Sequence, residues 1–388
     1  MKYDYFTEEH DLFREGFRTF LQTEVVPHLD EWEKTGTIAR DIWAKFGEMG
    51  YFGIRYPEKY GGLNLDMFYL VIWLEEMQRI NSGGFAAAMW AHNYLAMTHL
   101  KAEGSEEIKQ KYLKASIAGE MIGCLCISEP FGGSDVGAMK TTAVKDGDSY
   151  VLNGSKTFIT NGVYSDYLIV VAKMGGDDNP RSMGIFLVDR DVPGLSASKL
   201  DKLGWRASDT AEIAFDNVRI PASNLMGEPG KGFYYVMQHF ALERLIMGIN
   251  AHARAEYALD YTKQYMSERV AFGRTIDKFQ ALRHRMSEMY TEVEILKAFN
   301  YKVADALDKG EYVVKEASMS KLQSTKVADE VIYSCLQHLG GYGYMEEYPL
   351  ARMSRDSRLG PIGGGTSEIL KEIIAKMVVD GKVYDKST

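Results

Sequence analysis

The sequence predicts an α+β chain with an N-terminal helical bundle, a middle antiparallel β domain of barrel or sandwich type, and a C-terminal helical bundle. Three observations predict it. Apolar residues recur at helical spacing up to about residue 120, and short apolar runs divided by turn dipeptides fill the next hundred residues. From about Lys231 the helical period returns and holds. The expected boundaries are 1–120, 121–228 and 229–388.

In the first region Thr7, followed by Glu8 and Glu9, reads as a capped helix start, with Phe13, Phe17, Phe20 and Leu21 at helical spacing. Segments 41–49, 66–79, 83–100 and 106–118 continue in that style. Segment 83–100 is the most apolar long stretch. It contains His92, Asn93, Thr98 and His99, so it reads as a buried helix and not a bilayer span.

Strand-like runs follow at 122–127, 150–152, 157–160, 167–172, 184–188 and 211–215. Asp146-Gly147, Asn153-Gly154 and Asn161-Gly162 read as the turns between them, and this spacing suggests an antiparallel domain. Pro221, Pro229 and Gly230 mark the junction with the second bundle, whose helices are expected near 231–267, 276–308, 312–339 and 367–380.

Composition narrows the function classes. The chain has 388 residues, 46% apolar and 26% charged, which is the balance of a soluble globular protein. A net charge of −9 argues against a nucleic-acid partner or an anionic membrane surface. Three cysteines do not make a disulfide framework, which fits a reducing compartment, and Cys124 and Cys126 read as packed thiols before they read as metal ligands. Residues 1–10 carry no signal-peptide pattern, so the expected location is a bacterial-type cytoplasm, or the mitochondrial matrix for a processed organellar form.

Four segments carry candidate chemistry. Cys126-Ile127-Ser128-Glu129-Pro130-Phe131-Gly132-Gly133-Ser134-Asp135 follows a strand; such a loop offers N–H groups and hydroxyls to an anion or a polar ring edge, and equally describes a polar turn. Lys156-Thr157-Phe158-Ile159-Thr160 places an aromatic ring and a hydroxyl on one side of a strand, which suits stacking beside a planar cofactor or a half-buried strand. Gly363-Gly364-Gly365-Thr366-Ser367-Glu368 opens a helix that Thr366 or Ser367 would cap, a good anion site or a flexible capped loop. In Phe240-Ala241-Leu242-Glu243-Arg244-Leu245, adjacent positions on a helix do not face each other, so Arg244 does not directly neutralise Glu243. The apolar flanks suggest burial, where a lone carboxylate is costly without a role.

These motifs occur together and in order, and from about Phe6 to Asp380 the chain resembles the acyl-CoA dehydrogenase family. Ser128-Glu129-Pro130-x-x-Gly133-Ser134-Asp135 matches one signature. Gln337-x-x-Gly340-Gly341-x-Gly343-Tyr344-x-x-Glu347-x-x-x-x-Arg352-x-x-x-Asp356 matches the second, and Gly204-Trp205-Arg206 and Ala271-Phe272-Gly273 are similar as well. The resemblance implies a homotetramer with FAD at subunit interfaces, an acyl-CoA substrate, and an electron-transferring flavoprotein as acceptor.

By the same resemblance Leu125, Ile127, Ser128, Gly133, Ser134, Phe158, Ile159 and Thr160 line the isoalloxazine. Arg269, Phe272 and Gln280 bind the flavin's other half from a neighbouring subunit. Gln337, Gly340 and Gly341, with Thr366, Ser367 and Glu368, hold its adenosine and phosphates. Ser134, Tyr234, Phe240, Arg244, Gly364 and Gly365 contact the acyl-CoA.

One departure from the family pattern is informative. Many members carry the catalytic glutamate where this chain has Gly364, and a glycine takes no proton. A subgroup that includes the long-chain and isovaleryl-CoA dehydrogenases places the base on a C-terminal-domain helix before an arginine, which makes Glu243 the expected base. The 83–100 helix, which borders the acyl pocket by resemblance, has no Lys or Arg, which disfavours a dicarboxylate substrate; Trp90, His92 and Tyr94 are candidates to line or shorten the pocket. The alternatives on this scaffold are an acyl-CoA oxidase that uses oxygen and a non-catalytic acyl-CoA-binding homologue.

Overall fold

The computed structural model describes residues 3–175, 179 and 182–382. The first region is helical: α1 (Glu8–Phe20), α2 (Leu29–Thr35), α3 (Arg40–Glu48), α4 (Met67–Arg79), α5 (Gly83–Trp90), α6 (Met97–Glu103), α7 (Glu106–Ile108) and α8 (Lys114–Ile117). Thr7 caps α1, its N–H donating to His10 Nδ1 at 3.1 Å. The phenylalanine stripe turns inward, with Phe17, Phe20 and Leu21 buried. Each large apolar side chain buried this way contributes roughly 1.5–3 kcal/mol. The 83–100 segment is interrupted between α5 and α6 by a π-helical stretch, Ala91–Ala96, and is buried along most of its length.

The middle region contains β1 (Gly123–Cys126), β2 (Thr142–Asp146), β3 (Ser149–Thr160), β4 (Tyr167–Met174), β5 (Met183–Asp189), β6 (Leu195–Lys199), β7 (Thr210–Pro221) and β8 (Leu225–Met226). Their order is β6-β7-β3-β2-β4-β5-β8, with β1 also on β4. The expected antiparallel pairing holds between β2 and β3, β3 and β7, β6 and β7, β4 and β5, and β5 and β8, with two parallel exceptions. Strands β1 and β2 both run parallel to β4, along successive stretches of the same edge, and the described sheet does not close into a barrel. Asn153-Gly154 is not a hairpin turn either. It lies within β3, at a register shift against β7, with Gly154 at φ 143° and Thr141 packed where a Cβ would be. Asp146-Gly147 does make the β2–β3 turn, with Gly147 at φ 59°. Strands β2 and β6 escape sequence reading because each is short, polar and largely exposed.

The last region holds α9 (Gly232–Glu268), α10 (Gln280–Asp308), α11 (Val314–Leu339), α12 (Pro349–Ser357) and α13 (Ser367–Val378). A buried polar network docks the first bundle on this one. Glu75 of α4 meets Arg14 at 2.9 Å and His252 of α9 at 3.4 Å, and accepts from the Tyr301 hydroxyl of α10. These contacts hold the Glu75 carboxyl down to about 2 against the cost of its burial. Cys124 and Cys126 are packed in the sheet core.

Candidate active site

Glu243 sits in the first third of α9, partly buried among Leu242, Leu245, Ile246 and Met247. Burial pushes its carboxyl above the ordinary range, while the charges of Arg244 and Lys321 pull it down. Arg244 is turned elsewhere: its guanidinium donates to Ser318 Oγ at 3.2 Å and lies 5.4 Å from the Phe240 ring.

The loop between α12 and α13 comes directly to this carboxylate. A Cβ built on Gly364 would stand 3.3 Å from Glu243 Oε1 and would overlap Met247 Sδ. Gly364 and Gly365 take φ of +61° and +94°, a left-handed conformation that glycine adopts without a Cβ penalty. Thr366 caps α13 through a bond from the Ile369 N–H, and Ser367 N–H returns to Pro361 O at 3.0 Å. Among the described residues no carbonyl accepts from the Gly364 N–H. Lys321 Nζ donates to Gly365 O at 2.6 Å.

Two loops frame a second surface on the sheet. Glu129 anchors the 128–135 loop from inside. It accepts from Lys140 N–H at 2.6 Å and Thr141 N–H at 3.0 Å, and pairs with the fully buried Lys156 at 2.8 Å. Burial of that loop's acid therefore leaves Gly133 and Ser134 exposed, and no atom lies within 4 Å of where a Gly133 Cβ would stand. Beside it β3 shifts register between Lys156 and Ile159, and Phe158 takes φ 62° and is 71% exposed. Leu125, Ile127, Ser128 and Thr160 are half-buried along this surface, with Ile159 in the core beneath.

A third group gathers at the far end of α9. Arg269, Gln337, Gly340 and Gly341 line one open cleft of about 630 Å³, with Tyr342 5.5 Å from the Arg269 guanidinium. Gly340 (φ 60°, ψ −136°) and Gly341 have open space where a Cβ would project. Phe272 is nearby in sequence, in the tight turn between β9 (Val270–Ala271) and β10 (Arg274–Thr275), with φ 50° and 95% exposure; Gln280 begins α10. Glu243 lies on α9 and Arg269 directly follows the last residue of that helix, 26 residues on, a rise of roughly 39 Å.

Some expected residues serve packing. The His92 ring accepts from Gly123 N–H at 3.0 Å and donates to Ser116 O, and burial pushes it down to about 4, so it is a neutral core residue. Tyr94 is also buried. Trp90 borders a small cavity of about 40 Å³ with Trp205 and Met247; Arg254 of α9 reaches the same cavity, so the cation-free α5 segment does have a guanidinium beside it. His99, Glu103 and His239 also meet, with the Glu103 carboxylate 3.1 and 2.9 Å from the two rings, a group whose atoms have metal-ligand chemistry.

Sequence reading missed Met247, Ser318 and Lys321. The available signal was a lysine on the α11 face otherwise built from Ala317, Ser318, Ser324 and Thr325.

The three regions match three family descriptions in order: acyl-CoA dehydrogenase N-terminal domain over 7–120, middle domain over 124–218 and C-terminal domain over 230–379. A long-chain specific acyl-CoA dehydrogenase of Sus scrofa mitochondria is 40% identical over 380 residues, covering 97% of this chain and 88% of that protein. The isovaleryl-CoA dehydrogenase of Pongo abelii mitochondria is 38% identical over 375 residues, covering 95% and 88%. The crystal structure of an acyl-CoA dehydrogenase from Geobacillus kaustophilus superposes with a TM-score of 0.95 at 42% identity, covering 97% of this chain and all of that one. The chain belongs to the acyl-CoA dehydrogenases, a family of FAD-dependent oxidoreductases.

Proposed function

We propose that the protein converts an acyl-CoA thioester to its α,β-enoyl-CoA, with Glu243 as the base that removes the α-proton. The observation that carries this reading is the position of the Glu243 carboxylate, 3.3 Å from where a Cβ on Gly364 would stand. The base has moved from the loop to the helix while its place in the site is kept. Burial raises the carboxylate's proton affinity, which suits a base that must attack a weak carbon acid. The Gly364 N–H supports the thioester oxygen as charge develops there, a contact that needs no side chain. Ser134, Tyr234, Phe240, Arg244 and Gly365 complete the proposed acyl-CoA contacts.

The residues present fit a flavin: glycines 133, 340 and 341 leave open space, and Phe158 and Phe272 hold aromatic rings outward at strained φ. When bound, FAD supplies the acceptor for the hydride that leaves Cβ. Leu125, Ile127, Ser128, Gly133, Ser134, Phe158, Ile159 and Thr160 would hold one end of it. Arg269, Phe272, Gln280, Gln337, Gly340 and Gly341 would hold an FAD at the other end of α9, and Thr366, Ser367 and Glu368, at the helix terminus beside the glycine loop, would contact FAD adenosine and phosphates. We assign the second group to the FAD of a neighbouring subunit. That sharing goes with the proposed homotetramer, in which each site is completed by a neighbour. An electron-transferring flavoprotein is the proposed acceptor.

Anaerobic titration with straight, branched and cyclic acyl-CoAs, followed by loss of oxidised-flavin absorbance, tests the reading. Bleaching by one class is expected. A flavin-loaded protein that no thioester reduces would overturn it, and a full peroxide yield under air would move the acceptor to oxygen.

A further inference from the structure

A second charge is buried beside the base. Lys321 lies on α11 with no exposure at all, on a face of small residues that packs against α9. Lysine is almost never fully buried unless paired, because its ammonium loses hydration. Here, among the described residues, no carboxylate comes within 4.0 Å of Nζ. What Nζ meets is the carbonyl of Gly365, at 2.6 Å, on the peptide next to Gly364. The charged groups that act on it are Glu243 and Arg244 from α9 and Glu368 from α13. An apolar side chain would fill this position at less cost, so the cation has a use other than packing.

We infer that Lys321 is a positioning residue for α-proton removal: it clamps the Gly365 carbonyl, fixing the Gly364 N–H before Glu243, and its charge, with that of Arg244, offsets part of the cost of a carboxylate anion at this buried site. This rests on Glu243 being the base. The clamp and the charge are separable. Glutamine at 321 keeps a donor for Gly365 O without the charge, and methionine removes both at similar volume.

The sign of the charge effect is fixed. A neighbouring cation lowers an acid's pKa, so its removal raises that of Glu243 and moves the acid limb of the reaction to higher pH. In single-turnover flavin reduction by acyl-CoA, the holoenzyme variants Lys321→Gln and Lys321→Met should both shift the acid limb upward by about one pH unit. Lys321→Met should also lower the limiting rate about tenfold, because the loop loses its anchor. Flavin content and thermal midpoint are measured on the same preparations. If Lys321→Met does not retain FAD, Lys321→Gln carries the test. A lysine with only a structural role changes midpoint or flavin content and leaves the acid limb in place; that result in both variants overturns the inference. Glu243→Gln in parallel separates the two levels: if it still reduces flavin, the base assignment falls, whereas an inert Glu243→Gln beside unshifted lysine variants refutes only the role of Lys321.

Discussion

Moving the proposed base between positions 243 and 364 is the most direct test of the site geometry. A positioned general base contributes roughly 10²–10⁴ in rate, so Glu243→Gly should slow flavin reduction about a thousandfold. Adding Gly364→Glu returns a carboxylate to the same place from the loop, since its Cβ would stand 3.3 Å from the former Glu243 Oε1. The costs can be worked from the structure. A Cβ at φ +61° costs about 1–2 kcal/mol, and the overlap with Met247 Sδ forces that side chain into another rotamer for about 1 kcal/mol more. Methionine is flexible enough to yield, and a total of about 2–3 kcal/mol is within the stability of a folded domain. The extra methylenes place the new carboxylate less accurately, so the double variant should recover about ten- to a hundredfold of the loss. The assay is anaerobic rapid-mixing reduction with the thioester found by titration. A double variant that binds the thioester yet is no faster than Glu243→Gly would refute the claim that both positions address one proton.

Burial raises the Glu243 carboxyl above its ordinary 4.5, so its contribution to stability is present below that value and lost as pH rises through the raised one. Glu243→Gln should therefore raise the thermal midpoint by about 2 °C at pH 8, with the gain shrinking as pH falls through the raised value toward 4.5, and an equal midpoint shift at pH 8 and pH 4.5 would contradict this. Lys156→Met leaves Glu129 buried without its cation and should cost about 3–5 kcal/mol in urea unfolding, with weaker FAD retention because the 128–135 loop loses its anchor; a loss under about 1 kcal/mol would count against the anchor. Gly340→Ala should raise the rate of FAD release through backbone strain of about 1–3 kcal/mol, and Gly340→Ser should do the same, because open space surrounds the Cβ position; a large difference between the two would point to crowding instead.

The long elements were legible in the chain because their signals are local. The helical period marks α9, α10 and α11 to within a few residues, and a carboxylate among apolar neighbours singled out Glu243. Short elements were not: β2 and β6 bury too few residues for a period to show, α12 is only nine residues of mixed polar and apolar type, and Asn153-Gly154 has the composition of a turn but lies in a strand at a register shift against its partner. Sequence by itself determined which residue types were available: a glycine at 364 and an acid at 243 on a helix. Only the tertiary structure decided that these two meet, that Lys321 stands behind the loop, that His92 is spent on core hydrogen bonds, and that Arg269 and Gln337 share a cleft remote from Glu243. The reason is physical. Periodicity and capping depend on neighbours within a few residues, whereas the approach of α9, α11 and the glycine loop depends on how separate helices pack, and no local pattern records it.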